Sequence, residues 1–247
     1  GTRLFERSTQ HVALTASGER LLPLARRIQR LLAEAESAVR ECRDLPTLRL
    51  GITSAAYLPW LDEVLSALQA HAPSTSIEHR FASSPQLVRL LRSHRLDAAL
   101  IALPTEATGL DVVELDRMPM CVTLPSAHPL ARKRSLDLAD LNDQPLFWFE
   151  RARQPAFFDH CERVFQHHAF SAKRKREPAD QHVLLAEVAA GRALALLPSS
   201  FRALRQRGVA YRPLAQGAEL SIGIGLATPP DATALRRVLM RALKGKL

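Results

Sequence analysis

Cysteine is scarce: Cys42, Cys121 and Cys161 are the only three in 247 residues, an odd number at wide spacing. That argues against a disulfide framework and a C-x-x-C metal or redox motif, and it fits a reducing compartment. Cys121, inside the apolar run Met120-Cys121-Val122, reads as a small core residue. Long apolar runs are missing too. The richest segments, such as Leu194 to Pro198, are short and bounded by charge or proline, so no membrane partner is expected. With no charged-then-apolar leader at the start, the expected location is cytoplasmic. The catalytic signatures G-x-S-x-G, the Walker loop, G-x-G-x-x-G and H-E-x-x-H are absent, and Gly223-Ile224-Gly225 lies inside a strand pattern without the third glycine. No base is paired with a nucleophile, so no catalytic residue, enzyme activity or cofactor is assigned. His160 and His167 stand two helical turns apart without a third ligand at metal spacing, and no metal site is expected.

What is present is basic and apolar. Lys and Arg total 34 against 25 acidic residues, a net charge of +9 with a pI near 10.3, and 47% of the chain is hydrophobic. The length suffices for a sizeable core in one large or two small α/β units beside an N-terminal helix. The charge suits a nucleic-acid partner. Its densest runs, Lys173-Arg174-Lys175-Arg176 and Arg236-Arg237 through Lys246, lie far from the N-terminus and read as solvated faces.

Thr15 is a candidate N-cap, with Ser17 as the alternative, for a helix that ends near Arg43 and is broken by Pro46. Leu21, Leu22, Leu24, Ala25, Ile28, Leu31, Leu32, Ala35 and Val39 fall on one face; Arg20, Arg27, Arg30, Glu34 and Arg40 occupy the other. Such a stripe needs a partner helix. After it, strand and helix periods alternate every 10 to 15 residues, predicting βαβ units and a mainly parallel sheet. Strands are predicted at 48–52, 76–81, 98–103, 145–149, 193–197, 211–214 and 221–227, and a longer one at 115–124 that crosses between two lobes. Helices are predicted at 59–71, 84–93, 136–141, 155–168, 181–190 and 232–243, with Gly191 as a left-handed cap and a short helix after Pro198.

The stretch Arg3-Leu4-Phe5-Glu6-Arg7, the short Val12-Ala13-Leu14-Thr15 strand, Gly18 and the long helix together resemble the end of the winged helix-turn-helix and the linker helix of LysR-type transcriptional regulators. Leu48-Arg49-Leu50-Gly51-Ile52 with Tyr57-Leu58-Pro59 resembles the opening of that family's effector domain, and Leu96 to Ile101 its third strand. His128-Pro129-Leu130-Ala131 and Val188-Ala189-Ala190-Gly191 with Leu196-Leu197-Pro198 continue the series, so the likeness covers essentially the whole chain. The resemblance implies an α/β, two-lobed, periplasmic-binding-protein-like (type II) effector domain behind a linker helix and a winged helix-turn-helix remnant. Its expected boundaries are 1–15 for the wing, 16–45 for the linker and 46–247 for the effector domain. Lobe I then covers about 46–118 and 213–247, and lobe II about 119–212.

The same resemblance implies that base-reading helices precede Gly1, that promoter DNA is met by the full-length protein, with Arg3 and Arg7 on the DNA side, and that a small-molecule effector controls it. A homodimer through the linker helix and a homotetramer of two such dimers are implied. A solute-binding receptor of the same fold without DNA-binding function is the alternative.

Small ligands of open α/β sheets bind beyond the carboxyl ends of strands, where helix N-termini present free N–H groups. Thr53 and Ser54 follow the first strand of this unit, Ser83 and Ser84 the second, and Leu103 the third, a cradle for a carboxylate unless they are ordinary caps. Aromatics make up only 5% of the chain yet cluster at Phe147-Trp148-Phe149 and Phe157. Trp148 and Phe149 are candidates to stack on a flat effector, and Arg151 or Arg153 to pair with its carboxylate. Gln181 and His182 head a helix at the same end. The expected effector is a carboxylate or an aromatic acid.

Overall fold

The computed structural model describes the backbone of residues 2–7, 12–41 and 47–243; the side chains of 7, 12, 30 and 33–41 stand outside that description. A hairpin of β1 (Phe5–Arg7) and antiparallel β2 (Val12–Leu14) leads into α1 (Ala16–Glu41). Thr15 caps the helix as expected: its Oγ1 accepts the Gly18 N–H at 3.1 Å and donates to the Arg3 carbonyl at 2.8 Å. One hydroxyl thus holds both the helix and the segment before it. Gly18 is set by space, because a Cβ there would lie 2.2 Å from the Leu4 carbonyl oxygen. Leu21, Leu24, Ile28, Leu31 and Leu32 are 40–58% exposed, so the apolar stripe has no cover within one protomer. The expected helix end near Arg43, with Cys42 and Pro46, lies outside the described residues.

The chain then runs through β3 (Thr47–Thr53), α2 (Leu61–His71), β4 (Ser76–Ala82), α3 (Ser84–Arg92), β5 (Ala98–Leu103) and β6 (Asp111–Met118). It passes Pro119 into β7 (Met120–Pro125), β8 (Pro145–Trp148), α4 (Pro155–His167), β9 (Lys173–Arg176), α5 (Gln181–Ala189), β10 (Leu194–Pro198) and β11 (Val209–Pro213), and returns as β12 (Ile222–Thr228) and α6 (Thr233–Leu243). Two five-stranded sheets result, ordered β4-β3-β5-β12-β6 and β11-β7-β10-β8-β9. The first forms lobe I and the second lobe II.

The fully buried run of β5 and the fully buried β12 mark the centre of lobe I, as a short continuous apolar strand should. Helix faces follow the 3.6-residue period: Leu61, Val64 and Leu68 on α2, Leu87, Val88 and Leu91 on α3, and Phe157, Cys161 and Phe165 on α4 are buried. At roughly 25 cal/mol per Å² of apolar surface, each such side chain stabilises the fold by about 1.5–3 kcal/mol. Gly191, with φ +76°, ends α5 in the left-handed conformation its place in the sequence calls for.

Several expectations are corrected. Each sheet has two parallel and two antiparallel pairings rather than being mainly parallel. The strands that cross between lobes, β7 and β12, enter without the helical crossover that parallel pairing needs, and each pairs antiparallel on both sides. The single strand expected at 115–124 is two strands in different sheets, divided at Pro119, which cannot donate to a ladder. The helix expected at 136–141 reduces to one 3-10 turn, Ala139–Leu141, because Leu136 is engaged in a bridge to Leu214. The basic run 173–176 is strand β9, wet on both faces at the edge of lobe II, where charge guards an open edge.

Candidate functional site

The residues just beyond β3, β4, β8 and β9 converge on one cavity between the lobes, enclosing about 640 Å³ of empty space, part of it open to solvent. Ser54 and Ser83 come from lobe I; Phe149, Gln154, Glu177 and Gln181 come from lobe II. Three of these, Ser83, Gln154 and Gln181, stand at the N-termini of α3, α4 and α5. The apolar floor is Met120, Leu196, Leu197, Pro198 and Phe201, with Ile222 where β12 returns. The volume and the mostly apolar wall match small-molecule sites.

Two side chains tie the lobes across this space. Gln154 Nε2 donates to the Ala102 carbonyl at 3.0 Å and to Thr105 Oγ1 at 2.6 Å, and Gln181 Nε2 donates to the Ser54 carbonyl at 2.8 Å. Because the Ala102 carbonyl only accepts, the Gln154 amide orientation is fixed, and its Oε1 is buried with no hydrogen-bond partner among the described residues. Arg153 Nη1 lies 3.1 Å from Glu177 Oε1, and these are the two charged side chains on the described wall. Burial raises the Glu177 carboxyl above its ordinary value although the Arg153 guanidinium opposes the shift. Phe149 and Phe157 stack at 5.9 Å with planes 10° apart.

Of the residues expected at the site, Ser54, Ser83 and Phe149 line the cavity. Thr53 and Ser84 do not, because both are fully buried and spend their hydroxyls on each other at 3.0 Å. Thr53 Oγ1 also accepts the Ala55 N–H, and Ser84 Oγ accepts the Ala102 N–H at 2.9 Å, so this pair stitches β3, α3 and β5 together. Leu103 packs beside the β12 glycines and under α3. Trp148 is buried under α4, 5.1 Å from Phe165, whereas Phe147 faces the α5 cluster. Strand alternation separates those two as expected, but β8 ends at Trp148, so Phe149 escapes the alternation and packs on the Trp148 side.

Arg151 is exposed and gives Asp159 two 2.7 Å bonds away from the cavity. His182 is exposed; its N–H and that of Val183 are taken by Asp180, the α5 cap. Arg3 is exposed beside the hairpin, and the Arg7 side chain lies outside the described residues.

Gln154 and Glu177 were not singled out from the sequence. A polar residue directly before Pro155, and a lone acid closing the Lys173–Arg176 run, were the available signals.

Elsewhere, His160 Nε2 lies 2.7 Å from the Glu219 carbonyl and His168 Nε2 3.0 Å from Glu219 Oε2. These contacts join α4 to the segment returning to lobe I. Among the described residues no group of three His, Cys, Asp or Glu could hold a metal ion, and no helix is long and apolar enough to cross a membrane. Cys121 and Cys161 are buried, and burial pushes both thiols up, Cys121 to about 11.

The family model for the LysR substrate binding domain matches residues 43–247. The HTH-type transcriptional regulator AlsR of Bacillus subtilis is 27% identical over 222 residues, covering 87% of this chain and 72% of AlsR. A probable hydrogen peroxide-inducible genes activator of Mycobacterium xenopi is 38% identical over 138 residues, covering 54% of this chain and 72% of that protein. The solved structure of the BenM effector binding domain with its effector benzoate superposes with a TM-score of 0.71 at 20% identity, covering 81% of this chain and 91% of that one.

Proposed function

Because the chain belongs to the LysR family of transcriptional regulators, we propose that its two-lobed part senses a small molecule in the inter-lobe cavity and passes the signal to DNA-binding arms through α1. The observation that carries this reading is that one largely apolar cavity is walled by both lobes and bridged by Gln154 and Gln181. A molecule seated there has different contacts when the lobes shift, and only such differential affinity moves a conformational equilibrium. We take 1–15 as the wing, 16–45 as the linker and 46–247 as the sensor. The exposed apolar stripe of α1 supports pairing with a second copy, and two such dimers form a tetramer that meets promoter DNA from the cytoplasm. Arg3 and Arg7 stand on the DNA side.

The test is direct. Full-length protein should retard its own upstream DNA in a gel shift while residues 1–247 alone do not. A small-molecule screen should raise the melting temperature of the chain, by about 2.7 kcal/mol of stabilisation at a hundredfold excess over Kd. Failure of the intact protein to bind DNA at moderate salt sinks the regulator reading.

The name of the mycobacterial relative raises peroxide sensing as a second reading. Cys121 and Cys161 oppose it, since the thiolate is the reactive form and burial disfavours it at both positions. Mild hydrogen peroxide should leave both thiols titratable after unfolding; oxidation of either in the native protein reinstates that reading.

A further inference from the structure

We infer that the occupant of the cavity is an uncharged molecule that presents a hydrogen-bond donor to Gln154 Oε1, such as a phenol or a primary amide, rather than a carboxylate; this rests on the small-molecule reading above. Gln154 is 4% exposed, lines the cavity, and spends both amide hydrogens on Ala102 and Thr105. What it has left is an acceptor cut off from water. A carboxylate brought beside it adds a second acceptor where a donor is missing, whereas an O–H or N–H fills the vacancy.

Charge points the same way. The described wall carries one guanidinium and one carboxylate, Arg153 and Glu177, already facing each other. An anionic ligand that takes Arg153 leaves Glu177 with its charge desolvated and unpaired. Arg151, the other arginine of this turn, is held by Asp159 outside the cavity.

The three helix N-termini do not restore an anion cradle. Pro85 near the start of α3 and Pro155 at the start of α4 lack N–H groups, and Asp180 takes two of the N–H groups that open α5. The hydroxyls of Thr53 and Ser84 are spent internally. A stacked Phe149–Phe157 pair on the same wall favours a flat body for the donor.

The test uses matched aryl pairs on the chain at neutral pH, measured by calorimetric titration: phenol against anisole for the donor, and benzamide against benzoate for the charge. The donor-bearing and neutral members should bind about tenfold tighter or better. Gln154→Met should erase the phenol–anisole difference. Glu177→Gln, nearly isosteric, should leave Arg153 without a counter-charge and turn the second preference toward benzoate. Benzoate binding tighter than benzamide in the unaltered protein, or anisole equalling phenol, overturns the inference while leaving a small-molecule sensor standing. If no member of either pair binds, the inference falls together with the reading beneath it.

Discussion

The two lobes are built alike and finished differently. Each is a five-stranded mixed sheet with helices over its parallel strands, and each turns strand ends and helix starts toward the same cavity. In lobe I the polar groups at those ends are satisfied inward: Thr53, Ser84 and the Ala102 N–H form a sealed network. In lobe II they are left at the cavity, as the Arg153–Glu177 pair and the free acceptor of Gln154. Lobe I therefore supplies a rigid face, and lobe II supplies the groups that distinguish one ligand from another.

Substitutions can break or sharpen that contrast. Phe157→Ala, at a residue buried to 3% and stacked on Phe149, should cost about 3–5 kcal/mol in urea unfolding and abolish ligand stabilisation. Ser84→Ala should cost about 1–3 kcal/mol, because it strands the buried Ala102 N–H. The affinity ratio between two ligands should nevertheless stay unchanged; a shifted ratio would show that lobe I also reads the ligand.

Glu177 should leave a pH signature. Its carboxyl lies above the usual value in the folded protein, so its contribution to stability is full below the unfolded value and is lost as pH rises through the folded one. Glu177→Gln should therefore gain stability relative to the unaltered protein between about pH 4 and pH 7; a gain on acidification instead contradicts the assigned burial. The smallest effect is expected of Arg151→Ala, which removes an exposed pair with Asp159 and should leave ligand affinity as it was.

The site was only partly legible beforehand. Ser54 and Ser83 were readable because strand-to-helix turns in α/β sheets point at ligands. Thr53 and Ser84 occupy the same turns one residue away and look identical in sequence, yet they face inward. Phe149 stands out as an aromatic, but its direction depends on where β8 ends. Gln154 and Glu177 meet the cavity only because lobe II folds over lobe I, and their separation in the chain hides that they share a wall.

By itself the sequence determined the alternation of strands and helices, the Thr15 cap with its amphipathic helix, the two crossings and the family. These follow from local periodicity, capping chemistry and short-range spacing, which act before distant parts of the chain meet. The tertiary structure decided the antiparallel pairing of the crossing strands, the inward turn of Thr53 and Ser84, and the neutralisation of Arg153 by Glu177. Each of these depends on which polar group finds a partner once water is excluded, and that is settled only by packing.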